Sequence, residues 1–286
     1  MKRPEYNTTR EGLIRADIPA QTRTYKPVSH EQMMDVTLEG ILKSGFKLDQ
    51  EMYLSSNDHQ IATGRYTISN VADSEMQLQI GWQNSYNKQV SLKFAIGVHI
   101  MICSNGCVSG DMGTFKRKHT GDVQEYTPQS IMEYIKTAGD SFRQIQSERE
   151  AMKNIELSKR QKGELIGRMI VEEGFISSSE LNIIRKEIQK PTHDYNAQDS
   201  LWELYQYTTF AMKETHPANW MTDHISAHSF FVGVNGEIVT NSGISVPDDL
   251  FFQQDFSSQL RHNGDQMTAH SNLTGIKTFN NYELVL

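Results

Sequence analysis

The sequence predicts an α+β fold, an antiparallel β-meander followed by a mostly helical half. Three observations carry that prediction. Between Val90 and Cys103 apolar side chains fall on every second position, the period of a strand with one face in a core. After residue 127 the apolar residues recur at helical spacing instead, in segments that open on Ser or Thr and close on Gly or Pro. No Pro/Gly/Ser-rich linker separates the two kinds of pattern, so residues 28–245 read as a single domain. An N-terminal arm (1–27) without periodicity precedes it, and a polar, acidic, irregular arm (246–286) follows.

The elements follow in order. "SHEQMMDVTLEGILKSG" reads as a helix, with Ser29 and Gln32 at capping-box spacing and Gly45 as its stop. "FKLDQEMYLS" and "QIATGRYTIS" are strands joined by the turn formers Ser56, Asn57 and Asp58. "MQLQIGWQ" alternates, with Leu78, Ile80 and Trp82 on one face. The next strand is the longest: Val90, Leu92, Phe94, Ile96, Val98, Ile100 and Ile102 share one face. Its other face is small and polar, suited to water, a ligand or another chain. Asn105-Gly106 reads as the turn that ends it. From Thr127, a candidate N-cap, with Pro128 at the first helical position, one long helix is expected through about residue 161. "GELIGRMIVEEG", "SSSELNIIRKEI" with its Ser177/Glu180 capping box, and "SLWELYQYTTFAMKETH" are three more helices. "FFVGVNGEIVT" is expected to be a late β-hairpin turning on Asn235-Gly236.

Composition narrows the function classes. At 286 residues the chain can bury a core without staples. Its mean hydropathy is -0.56, and no apolar run approaches the roughly 18 residues of a membrane span. The start, "MKRPEYNTTREGL", has no apolar stretch of a secretory signal. Two cysteines do not make a disulfide framework, and a cytoplasmic location is the expectation. The net charge of -7 is uneven. Residues 1–110 are neutral, 111–170 carry +2 and 171–286 carry -9. A basic middle beside an acidic end leaves room for a local anion-binding patch.

Several residue groups invite a chemical reading. Cys103, Cys107, His99 and His119 gather near the long strand. A metal needs its ligands at about 2.0–2.3 Å, whereas four residues of strand separate His99 from Cys103 by about 13 Å. If Asn105-Gly106 is a two-residue turn, Cys103 and Cys107 point to opposite faces, which disfavours a disulfide. Cys103 then reads as a small side chain at a strand end. His224 and His228 have the i, i+4 spacing of many metal pairs, but no Glu follows the first, and a packing or surface pair explains them as well. There is no Walker loop, GxGxxG or GxSxG, so no catalytic residue, metal or cofactor is assigned.

"KRKH", Lys116, Arg117, Lys118 and His119, is a compact basic cluster and the candidate nucleic-acid-binding site. Arg143, Arg149, Lys153, Lys159, Arg160, Lys162 and Arg168 add charge along the helices, diluted by glutamates, and solvated helix faces account for most of it. Tyr66, Trp82 and Tyr86 are available for stacking near such a groove, or for the core.

The order of short motifs resembles the phage/plasmid-like proteins, a family known as domain of unknown function 932. The residues that carry the resemblance are "KSGF", "GWQNSYNKQVSLKF", "HIMICSNGCVSG", "KRKHTGD" and "SLWELYQYTTF", between about residues 28 and 230. Cys103, Asn105, His119, Trp202 and Tyr205 match the family's motif positions. The resemblance implies a bacteriophage or plasmid setting and brings no catalytic residue with it. Two readings follow. One is a protein that binds single-stranded DNA in annealing, recombination or replication, since a meander followed by a helix is similar to the core of phage annealing proteins. The other is a non-enzymatic homo-oligomer of phage assembly or host takeover, using the small-residue strand face and polar arms. A metal-dependent enzyme ranks behind both.

Overall fold

The structure is a computed structural model, and it describes residues 6–103, 105–108, 114–120 and 123–242. The C-terminal arm lies outside these residues. The β-meander is present. Strands β1 (Asn7–Thr8), β2 (Leu48–Ser55), β3 (Ile61–Ala72), β4 (Met76–Ser85) and β5 (Leu92–Ile100) pair antiparallel in chain order. The edge beyond β5 is shared. Strand β7 (Thr114–Arg117) pairs with its first half and β6 (Asn105–Val108) with its second.

The period of two sets the burial. Leu78, Ile80 and Trp82 on β4 and Phe94, Ile96 and Val98 on β5 are all fully buried in one hydrophobic cluster. Helices α2 (His30–Lys43), α3 (Val123–Lys136), α4 (Ala138–Lys153) and α7 (Leu201–Ala211) contribute the opposing side chains. Each such large apolar residue contributes about 1.5–3 kcal/mol before its lost conformational entropy is offset. Helix α7 is apolar or buried nearly all round, as a helix enclosed by others must be. It packs against α4, α6 (Ser178–Gln189) and α8 (Pro217–Ser242), while α5 (Lys159–Val171) adds Leu165 and Met169 to the core. Capping agrees with the sequence. The Ser29 hydroxyl accepts from Gln32 N–H at 2.9 Å, and Ser177 and Glu180 cap each other reciprocally.

Several expectations are corrected. The late hairpin is absent: "FFVGVNGEIVT" lies inside α8, a helix of 26 residues. Ala227, Phe230, Phe231 and Val234 recur at i, i+3, i+4 and i+7 and are all buried, so tertiary packing overrides the local turn preference of Asn235-Gly236. The second Asn-Gly pair is not a turn either. Asn105 and Gly106 lie in β6 opposite Ile100 and His99, and the turn falls on residues 101–103. Strand β5 therefore stops at Ile100, and Ile102 is 51% exposed. The single long helix is broken at Thr137 into α3 and α4, and α3 begins before Thr127, leaving Pro128 inside it. The N-terminal segment is more than an arm. Strand β1 extends the sheet, and α1 (Arg10–Ile14) buries Leu13 completely in the main core.

The small-residue face of β5 is covered by the chain itself. Ala95 packs with Trp220 and Met221 from the first turns of α8, in a second apolar cluster. The rest of that face is polar, and the charged groups converge on it.

Candidate nucleic-acid interface

Register places the cations. Lys116 on β7 lies opposite Lys93 on β5, and Lys93 lies opposite Gln83 on β4. Lys116, Arg117 and Lys118 are exposed, and Lys93 is half-buried. Burial, with the charge of Lys116 behind it, lowers the Lys93 ammonium below its ordinary value, against the pull of Asp223. Lys93 Nζ donates to Thr222 Oγ1 at the start of α8. Among the described residues Lys93, Lys116 and Lys118 make no ion pair. Two lysines directly opposite on neighbouring strands repel each other, so the pair favours an external anion.

The helical cations are different. Arg149 binds Asp73 at 2.8 Å and Glu75 at 3.6 Å, and Lys153 binds Glu75 at 2.7 Å. Lys162, nearly fully buried, is held by Asp199 and Glu203. Arg143 pairs with Asp140, Arg160 with Glu164, and Arg168 with Glu172 and Glu237. These side chains are spent on the fold and on local helix pairs. Only Lys159 of that set makes no ion pair among the described residues.

His119 leaves the basic cluster. It is 5% exposed, and burial lowers its imidazole below the ordinary histidine value while a hydrogen bond with Lys26 partly opposes this. Its carbonyl accepts from Lys26 N–H at 2.8 Å, its Nδ1 accepts from Val28 N–H at 3.4 Å, and its ring stands edge-on to Tyr25. His119 thus fastens the segment ahead of α2 to the end of β7. The aromatic candidates are also structural. Tyr66 and Trp82 are fully buried and hydrogen-bonded to each other, and Tyr86 stacks on His30 at 4.0 Å.

Of the family-motif residues, Asn105, Trp202 and Tyr205 belong to one structural joint around α7, whereas His119 lies apart with the segment ahead of α2. Asn105 is fully buried, and its Nδ2 donates to the Gln206 carbonyl and to Thr209 Oγ1, both at 3.1 Å, clamping β6 to α7. Trp202 and Tyr205, one turn apart on α7, are packed edge to face, and Tyr205 Oη lies 3.3 Å from His228 Nδ1. Cys103 is a buried free thiol whose pKa is raised by burial. His224 and His228 part company. His228 turns to Tyr205 and Glu148, while His224 lies against Trp220. Among the described residues no three His, Cys, Asp or Glu side chains come together as a metal centre.

Sequence reading missed Arg65 and Trp220. Arg65 pairs in register with Gly81, and Gly81 with Ala95, so it shares the polar face with Lys93. The signal available was parity: Arg65 alternates with Tyr66, which is buried. Trp220 carried no such signal, because only the fold brings α8 back across the sheet. Asp223, beside Lys93, is the nearby acid. Burial, with the charge of Glu180 adding, pushes its carboxyl up to about 7, while Lys93 pulls it down.

Residues 20–226 match a family model described as a domain of unknown function (DUF932). No curated protein matches the chain, and no solved structure does. No helix among the described residues is long and apolar enough to cross a membrane.

Proposed function

The chain belongs to the DUF932 family, and from that premise we propose that it binds single-stranded DNA along the β7 edge of the sheet, in the annealing, recombination or replication of a phage or plasmid. The observation that supports this is the contrast between cations. Arg143, Arg149, Lys153, Arg160, Lys162 and Arg168 on the helices are matched by carboxylates, whereas Lys93 and Lys116, opposite each other in register, and Lys118 just beyond β7 make no ion pair among the described residues. Arg117 is exposed but lies opposite Leu92, on the other face of the strand from Lys116. Such a lysine patch recruits phosphates, and the affinity it confers falls with salt because bound counterions are released. It holds no stacking aromatic of the kind first expected, so backbone phosphates are the main contact and sequence preference is weak. The test is fluorescence anisotropy with a labelled single strand at about 50 and 200 mM salt. Binding that weakens with salt is expected. No binding, or binding indifferent to salt, refutes the proposal.

A second reading, a homo-oligomer, rests on β2. Strand β1 pairs with β2 only at Tyr53 and Leu54, so the outer edge from Leu48 to Met52 has no partner strand among the described residues. Leu48 and Met52 are 37% and 36% exposed there. A bulge at Asp49 and the charge of Glu51 blunt this edge, which limits the reading. Light scattering at micromolar concentration decides it, and a clean monomer rules it out.

A further inference from the structure

Arg65 is a charge of the polar face that burial penalises, lowering its guanidinium to about 10. The sheet curls enough for its guanidinium to reach across from β3. Nη2 lies 3.2 Å from Met52 Sδ, and Nη1 lies 3.7 Å from where a Cβ on Gly106 would stand. The guanidinium sits over the Trp220 ring at 4.7 Å. It makes no ion pair among the described residues, and its buried Nε has no hydrogen-bond partner. A thioether is a weak acceptor, so donors that ordinarily hold a carboxylate or phosphate are left largely unused. Asp49, the acid on the neighbouring strand, is engaged by Gln77 instead.

A second unused group stands against the same indole. The His224 ring lies 4.6 Å from the Trp220 ring. His224 is 1% exposed, and both its ring nitrogens are buried without a hydrogen-bond partner among the described residues. A neutral imidazole offers one donor and one acceptor. Buried polar groups are normally satisfied, and two adjacent exceptions of this kind mark a place for something else. Gly106 fits the same picture. A Cβ there would come within 2.9 Å of Gln79 Oε1 and 3.4 Å of Trp220. Any side chain would crowd the space in which Arg65 and Trp220 meet.

We infer that Arg65, Trp220 and His224 form a binding site for a phosphate group, free or terminal on a nucleic-acid strand. The planar fork of Arg65 matches two phosphate oxygens, as a lysine would not. Trp220 backs the fork by a cation–π contact. His224 supplies a donor to an oxygen and an acceptor to a protonated one. Because His224 is buried, an end group suits this position better than a continuous backbone, and Met52, exposed, lies beside the Arg65 guanidinium. Arg65 lies on the same face as Lys93, two strands across and one row along, so a strand held at the β7 edge can present its terminus there. The inference thus deepens the nucleic-acid reading, though the site itself does not require it.

The experiment is thermal unfolding of the full chain with sodium phosphate, sodium sulfate, and a short single strand carrying either a 5′-phosphate or a 5′-hydroxyl. Phosphate at about one hundred times its dissociation constant is expected to raise Tm by roughly 5 °C or more. Sulfate, which has no proton to give His224, is expected to do less. A larger shift from the 5′-phosphorylated strand than from its 5′-hydroxyl twin assigns the source to a strand terminus, and equal shifts assign it to free phosphate. Arg65→Met is expected to abolish the phosphate response without lowering the intrinsic Tm, because it removes an uncompensated charge. Arg65→Lys keeps the charge and should lose most of the response. No phosphate shift in the wild type, or the same shift in Arg65→Met, overturns the inference. Failure of strand binding at the β7 edge is read separately, with the 5′-hydroxyl strand and lysine variants, and leaves this outcome unaffected.

Discussion

Asn105→Ala is predicted to loosen the joint between sheet and helices without touching the cation patch. Asn105 is fully buried, and its amide donates to the Gln206 carbonyl and Thr209 Oγ1 at 3.1 Å each, with Gln206 Oε1 at 3.5 Å. Truncation removes both donations and leaves their acceptors in a region without water. One stranded buried partner costs about 1–3 kcal/mol. Thr209 Oγ1 can still donate to the Gln206 carbonyl at 3.2 Å, so the two losses are not fully additive. About 3 kcal/mol is the expected total, equivalent to a Tm fall of roughly 6–12 °C. Urea unfolding followed by far-UV circular dichroism measures it, with the m-value checked for constancy. Asn105→Asp is the sharper control. It keeps the volume but turns a donor into an acceptor facing acceptors, and burial raises the pKa of such a carboxyl. The folded state then binds its proton more tightly than the unfolded state, so this variant loses stability as pH rises from about 4 towards neutrality. An alanine variant within about 0.5 kcal/mol of wild type, well inside the range of neutral surface changes, would refute the reasoning. So would an aspartate variant no less stable at pH 8 than at pH 5.

Other perturbations test other joints. Gly64→Ala places a Cβ 2.5 Å from the Trp82 indole, which lies across from it on β4, and both are locked in the sheet. A loss of about 1–3 kcal/mol or more is expected in the urea midpoint, and a neutral outcome would mean that the indole is free to move. Asp223→Asn should stabilise the chain at pH 8 and leave it unchanged near pH 4. Its folded pKa of about 7 means that the cost of ionising it grows as pH rises from the ordinary carboxylate range and is complete above 7. Urea midpoints at the two pH values measure this, and equal effects at both would contradict the assigned pKa. Lowering the pH should also weaken the anchor of α4. Burial alone would raise the Asp73 carboxyl, but hydrogen bonds from Gln146 and the Glu75 and Met76 amides, with the charge of Arg149, hold it below its ordinary value. That stabilisation is present above the ordinary carboxylate range and lost as pH falls through the folded pKa, and a flat midpoint across that range in a chain carrying Asp73→Asn would confirm the source.

The sheet was legible because burial on one face writes a period of two, which the large apolar side chains of β4 and β5 follow. Helix starts were legible where the cap is local, as at Ser29 and Ser177. Both Asn-Gly pairs misled, for a common physical reason. Their turn preference is a weak local term, and at Asn235 the i, i+3, i+4 burial of Phe230, Phe231 and Val234 outweighs it. At Asn105-Gly106 the pair serves contacts more than a hundred residues away, with Gln206, Thr209 and Trp220. The basic cluster was visible, but its members were not separable by sequence. Lys116 and Lys118 emerged exposed and His119 buried, because the difference depends on the segment ahead of α2 folding back over β7. Arg65 and His224 lie 159 positions apart and meet only at Trp220, so no spacing rule could have joined them.

The proposed binding of phosphates by unpaired lysines at the β7 edge is measured by the salt dependence of single-strand affinity. Three lysines engaging three phosphates give a slope of log affinity against log salt of about -2, or roughly a twenty-fold loss between 50 and 200 mM. Replacing Lys116 and Lys118 by alanine leaves Lys93 and should reduce the slope to about -0.7, with no change in the urea midpoint beyond about 0.5 kcal/mol. Equal slopes for the wild type and the Lys116→Ala/Lys118→Ala variant would contradict the account.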